Sequence, residues 1–78
     1  MLYINDERSS SLKNRIRNLR EHLNLTQLDL AERVDVSRQT IISLENGKYN
    51  PSIFLAYKIS RVFNLPIEQV FVFEEEEL

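Results

Sequence analysis

Apolar residues recur at helical spacing along most of this chain, in short bursts separated by residues that cap helices or turn the backbone. The densest stretch is 26–47, TQLDLAERVDVSRQTIISLENG, which reads as two short helices joined by a tight turn. Thr26 is placed to cap the first: its hydroxyl can accept from the backbone N–H of Asp29, whose charge suits a helix's first turn. Leu28, Ala31 and Val34 are expected on the buried side, with Leu30 in a second buried column. Asp35, Val36 and Ser37 break the pattern, and Ser37 caps a second helix whose apolar stripe is Ile41 and Leu44. Gly47, the single glycine, stands where a left-handed residue would close that helix. Helix, short turn and helix make the geometry of a helix-turn-helix.

Upstream, Leu12, Ile16, Leu19 and Leu23 fall at i, i+4, i+7 and i+11, one face of a helix of about three turns. Ser10 or Ser11 would cap it, and Asn24 marks its exit. Downstream, Ser52 caps a fourth helix running to Phe63, with Ile53, Ala56, Ile59, Val62 and Phe63 on its buried side and Asn64 as a left-handed stop. Pro66 suits the first turn of a short fifth helix over 67–70. Both ends are apolar and rich in β-formers: Leu2, Tyr3 and Ile4, then Val70, Phe71, Val72 and Phe73. The predicted fold is mainly α, one compact five-helix domain over residues 1–78, to which the N- and C-terminal segments add a small β-ribbon. An isolated strand pair is marginal in water, so those seven residues are expected to form a two-fold interface between two copies.

Charge changes the picture. The formal net charge of −2 conceals an asymmetry, because residues 8–61 hold all 10 Lys and Arg against 5 acidic residues, a local +5. The acidic excess lies at the ends, including the run of glutamates at 74–77. A basic middle suits a surface that faces phosphate.

Other chemistry is excluded quickly. Without cysteine there is no disulfide framework, zinc ribbon or thiol nucleophile. His22 is the only histidine and has no companion ligand, so it is expected at the surface and no metal site is predicted. One glycine leaves no phosphate-cradling loop, and no nucleophile motif accompanies the serines and acids. Neither an enzyme nor a cofactor is expected. The apolar runs fall far short of the roughly 20 residues a membrane helix needs, and the first residues do not resemble a signal peptide. A cytoplasmic protein with no membrane partner is the expectation.

Several dispersed motifs agree with one family in spacing: Arg17 and Arg20 as Arg-x-x-Arg, Leu-Thr-Gln at 25–27, Leu-Ala-Glu at 30–32, Val-Ser-Arg-Gln-Thr-Ile at 36–41, Glu-Asn-Gly-Lys at 45–48 and Asn-Pro-Ser at 50–52. Residues 12–71 thereby resemble the five-helix DNA-binding domain of lambda-repressor and Cro-type regulators, the xenobiotic-response-element family. The resemblance implies a sequence-specific transcriptional regulator of double-stranded DNA, usually a homodimer and here expected to repress from a palindromic operator. One departure is Asp35, where the family commonly has glycine.

In such a domain the second helix of the pair enters the major groove with its N-terminal residues toward base edges. With Ile41 and Leu44 facing the core, Arg38, Gln39, Ile42 and Ser43 are left for readout. Arg matches guanine, Gln matches adenine, and Ser matches donors or acceptors. Ile42 either covers a thymine methyl or is an ordinary exposed apolar residue. The resemblance assigns Gln27, Thr40, Asn46 and Lys48 to the DNA backbone, with Ser37 beside them, and Gln27 also sits at a helix N-terminus that attracts phosphate. Arg17 and Lys13 either reach phosphate or are simply solvated; Tyr49 and Asn50 either touch the flanking backbone or shape the loop. The resemblance further implies a partly buried ion pair between Arg20 and Glu45. The rival function is an antitoxin or anti-regulator that binds a protein, with Phe71, Phe73 and the glutamate run as its working part.

Overall fold

The computed structural model describes residues 13–73. Its elements, in order, are β1 (Lys13–Asn14), α1 (Ile16–His22), α2 (Gln27–Val34), α3 (Arg38–Glu45), α4 (Ile53–Phe63), α5 (Ile67–Val70) and β2 (Phe71–Val72). Five helices pack around Ile16, Leu30, Ala31, Val34, Ile41, Leu44, Leu55, Ala56, Ile59, Val70 and Phe71, all buried. α3 lies against α2, α1 and β1, while α4 packs on α2 and α5.

Side-chain caps fix where the middle helices start. Thr26 and Asp29 form a reciprocal capping box at α2, with Thr26 Oγ1 accepting from the Asp29 N–H at 2.9 Å and Asp29 Oδ2 accepting from the Thr26 N–H at 2.9 Å. Ser37 and Ser52 accept from the N–H groups of Thr40 and Leu55 and so begin α3 and α4. Left-handed residues fix where four helices stop: Asn24, Asp35, Gly47 and Asn64 have φ between 57° and 71°. After α3, Lys48 N–H donates to the Ser43 carbonyl and Gly47 N–H to that of Leu44, closing the helix end with its carbonyls satisfied.

The first helix is shorter than the spacing predicts. Lys13 and Asn14 pair antiparallel with Val72 and Phe71, and the Asn14 carboxamide oxygen accepts from the Ile16 N–H, so α1 begins only there. Arg15 adds a bond from its N–H to the Val70 carbonyl at 2.8 Å. A β-ribbon is present, and among the described residues its N-terminal strand is Lys13–Asn14; the expected strand residues Leu2, Tyr3 and Ile4, with Ser10, Ser11 and Leu12, lie outside the described residues. Leu23, at the cap after α1, is exposed.

Two apolar positions point the other way from expectation. Leu28 is exposed because steps of three residues each fall about 60° short of a full turn, leaving it about 120° from Val34. Ile53 is 82% exposed, since the buried side of α4 is set by Leu55, Ala56, Ile59 and Ser60. The expected dimer face is also corrected. Val70 and Phe71 are fully buried in their own core, and of the C-terminal set only Val72 and Phe73 remain exposed. Phe71 is equally withdrawn from the protein-binding role that the rival reading gave it.

Candidate nucleic-acid interface

The helix-turn-helix is α2, the turn 35–37 and α3. Asp35 adopts φ 63° and ψ 47°, the left-handed geometry that glycine takes most easily, and it turns the chain through Val36 to the Ser37 cap. The N-terminal end of α3 is thereby presented outward. Arg38 and Gln39 stand exposed side by side in its first turn, whereas Ile42 and Ser43, one turn later, are half-buried. Ile41 and Leu44 point into the core as the stripe requires. The four expected readout residues therefore share the outer surface of α3, with the two at its N-terminus the more prominent.

The flanking residues expected at the DNA backbone divide into two sets. Ser37 and Thr40 share a hydroxyl–hydroxyl hydrogen bond of 3.0 Å at the start of α3. Asn46, Lys48 and Tyr49 follow its C-terminal end, all exposed. Gln27, half-buried, and Arg17, exposed, both face the Glu45 carboxylate. Gln27 Nε2 donates to Glu45 Oε1 at 3.1 Å, and Arg17 Nε lies 3.5 Å from the same oxygen.

Glu45 is the hub of this arrangement. Arg20 Nε donates to its Oε2 at 2.7 Å and Arg20 Nη2 to its Oε1 at 3.3 Å, a two-point pairing across 25 residues of sequence. Arg20 Nη1 also donates to the Leu25 carbonyl at 2.9 Å, so the guanidinium braces the α1–α2 connection as well. Burial pushes the Glu45 carboxyl up, but the hydrogen bonds from Arg20 and Gln27, with the charge of Arg20, outweigh it and hold the group below the usual carboxylate range. The C-terminal end of α3 is thus anchored to α1 and α2 through one carboxylate.

A second anchor was not legible in the sequence. Asn14 Nδ2 donates to the Leu44 carbonyl at 2.7 Å, joining β1 to the last turn of α3 over 30 residues. A lone asparagine inside the expected first helix carries no sequence signal for so distant a partner. Among the described residues no group of acids and histidine is placed to hold a metal, and no helix is long and apolar enough to cross a membrane.

Comparison with known proteins agrees with this geometry. The model of the Helix-turn-helix family matches residues 16–70. An uncharacterized HTH-type transcriptional regulator of Archaeoglobus fulgidus is 58% identical over 67 residues, covering 86% of this chain and 94% of that protein. The uncharacterized HTH-type transcriptional regulator MJ0272 of Methanocaldococcus jannaschii is 50% identical over 66 residues, covering 85% of this chain and all of that protein. Among solved structures, the restriction-modification controller protein C.AhdI from Aeromonas hydrophila superposes with a TM-score of 0.66 at 25% identity, covering 70% of this chain and 83% of that one.

Proposed function

The chain belongs to the helix-turn-helix family of lambda-repressor and Cro-type, DNA-binding transcriptional regulators, and from that premise we propose that it represses transcription by binding a palindromic operator as a homodimer. Arg38 and Gln39 read base edges directly in the major groove, with Ser43 and Ile42 reading one helical turn further along. Ser37, Thr40, Asn46, Lys48 and Tyr49 hold the phosphates on either side of α3, and Gln27 and Arg17 do so from the faces of α2 and α1. Two copies related by a two-fold axis place their recognition helices about 34 Å apart, one turn of B-DNA. The protein works without a cofactor, in the cytoplasm.

The observation that carries this reading is the exposure of Arg38 and Gln39 in the first turn of a helix whose opposite face and C-terminal end are locked to the domain. A rigid helix with two long, bidentate-capable side chains at its free end is built to discriminate bases. Selection from random duplex DNA should enrich a palindrome. Gln39→Ala is expected to lose about 1–3 kcal/mol of discrimination at one base pair of each half-site. Lys48→Ala should weaken binding to all sequences alike and reduce the salt slope by about one unit. Enrichment of no sequence, or equal loss on specific and random DNA for Gln39→Ala, contradicts the assignment.

A further inference from the structure

The end of α3 is held from different sides at two neighbouring residues. The Glu45 side chain leaves the helix laterally and is gripped by Arg20 of α1 and Gln27 of α2. The Leu44 carbonyl points along the helix axis, and there Asn14 Nδ2 donates to it at 2.7 Å. A helix gripped at one residue can still pivot about it. A second bond, to another atom and from another element, removes that freedom.

Asn14 is itself held firmly. Its backbone lies in β1 opposite Phe71, which is buried in the core. Its carboxamide oxygen accepts from the Ile16 N–H at 3.1 Å. The next residue ties the same segment to α5, with the Arg15 N–H donating to the Val70 carbonyl at 2.8 Å and Arg15 Nη1 to the Gln69 carbonyl at 3.1 Å. A carboxamide combines the two roles that Asn14 plays, a donor toward Leu44 and an acceptor toward Ile16. Only the acceptor is needed to begin α1. Nor does the Leu44 carbonyl depend on Asn14 for a partner, because the Gly47 N–H already donates to it at 3.0 Å. What the Nδ2 bond adds is a fixed distance between the ribbon and α3.

We infer that Asn14 is a positioning residue for base readout: through the Leu44 carbonyl it sets the tilt at which α3 presents Arg38 and Gln39 to the major groove. The inference rests on the readout proposed above and extends it to a residue that touches no base. α3 has eight residues, Arg38–Glu45, which places its first turn about 10 Å from the Leu44 carbonyl at the helical rise per residue. A tilt of roughly 6° about that end moves Arg38 and Gln39 by ~1 Å, enough to spoil a bidentate contact with a base edge. Tilt therefore acts on discrimination between sequences more than on attraction to phosphate.

Two substitutions separate the donor from the acceptor and leave the backbone pairing with Phe71 in place. Asn14→Asp keeps the shape and the acceptor for Ile16 but loses the donor to Leu44; Asn14→Ser is uncharged and too short to span to Leu44. Each is titrated, at a temperature where its melting curve shows it folded, on the duplex that the wild type enriches and on random duplex. The added charge of Asn14→Asp weakens both alike, so the ratio of the two affinities is the quantity to read. That ratio should fall about tenfold in both variants, the order of one misaligned bidentate pair. Ile59→Val, a core change on α4 outside α3 and β1, should leave it unchanged. In a Gln39→Ala background the fall should be no more than about threefold, because part of the misplaced contact is already gone. An unchanged ratio in both Asn14 variants overturns the positioning role, as does an equal fall in Ile59→Val or a full tenfold fall beside Gln39→Ala. Enrichment of no sequence by the wild type refutes base readout itself, and the positioning role falls with it.

Discussion

Arg20 and Glu45 meet through two hydrogen bonds, at 2.7 and 3.3 Å, in a place where the Glu45 side chain is fully buried and that of Arg20 only 10% exposed. The pair joins the first helix to the end of the recognition helix. Glu45→Ala leaves the buried Arg20 side chain with the Leu25 carbonyl as its remaining hydrogen-bond partner, and a loss of about 3–5 kcal/mol is expected. Chemical denaturation of Glu45→Ala, Arg20→Ala and the double variant measures the coupling. Additive single effects would contradict a shared role.

The same carboxylate sets the acid limit of the fold. Its ionised form is favoured in the folded state, so its contribution is complete above the unfolded value, about 4.3 for glutamate, and is lost as pH falls through the lower folded value. Asp29 acts in the same direction, held down by its hydrogen bonds with Thr26. Thermal stability is therefore expected to be flat from pH 7 to about 5 and to drop below about 4.5. In Glu45→Gln the drop should be shallower, from a lower plateau. An unaltered acid limb in that variant would assign the transition to other groups.

The helix ends offer a test through the backbone alone. Three of the four left-handed positions hold Asn24, Asp35 and Asn64, where glycine would adopt the same φ without a Cβ clash. Asp35→Gly is expected to change stability by less than about 1 kcal/mol, as relief of the clash is offset by a freer unfolded chain. Asp35→Val should cost about 2 kcal/mol, because a β-branched residue tolerates φ near 63° poorly. Urea unfolding of the two variants gives the comparison. Equal stability of the two would mean that the turn relaxes without strain.

What the sequence made legible was local. Thr26, Ser37 and Ser52 announced helix starts because a cap bonds only three residues away, and Asn64 and Gly47 announced stops for the same reason. The outward placement of the proposed readout residues followed from Ile41 and Leu44 fixing which side of α3 is inside. Long-range geometry was not legible. Nothing in Asn14 marks Leu44 as its acceptor, and nothing in Phe71 distinguishes a core residue from an interface one until β2 pairs with β1. Ile53 misled for a related reason: position along a helix gives its angle, but only the neighbouring helices decide which angle is covered. The Arg20–Glu45 pair, equally distant in sequence, was anticipated only through resemblance to a family.

Arg17 separates folding from binding. It lies 3.5 Å from the carboxylate that Arg20 grips, yet its side chain is 57% exposed. An exposed pair of that kind contributes roughly 0–1 kcal/mol, since water already solvates the guanidinium and holding it in place costs side-chain entropy. With Nε near Glu45 and its side chain mostly exposed, Arg17 is proposed to offer its guanidinium to phosphate. Arg17→Ala is accordingly expected to shift the melting temperature only slightly, where Arg20→Ala shifts it strongly. On DNA the same variant should lose affinity for specific and random duplexes by a similar factor and lower the salt slope by about one unit. Parallel thermal melts and salt-dependent binding titrations read both effects. A stability loss matching that of Arg20→Ala would make Arg17 a structural residue, and an unchanged salt slope would remove it from the phosphate contacts.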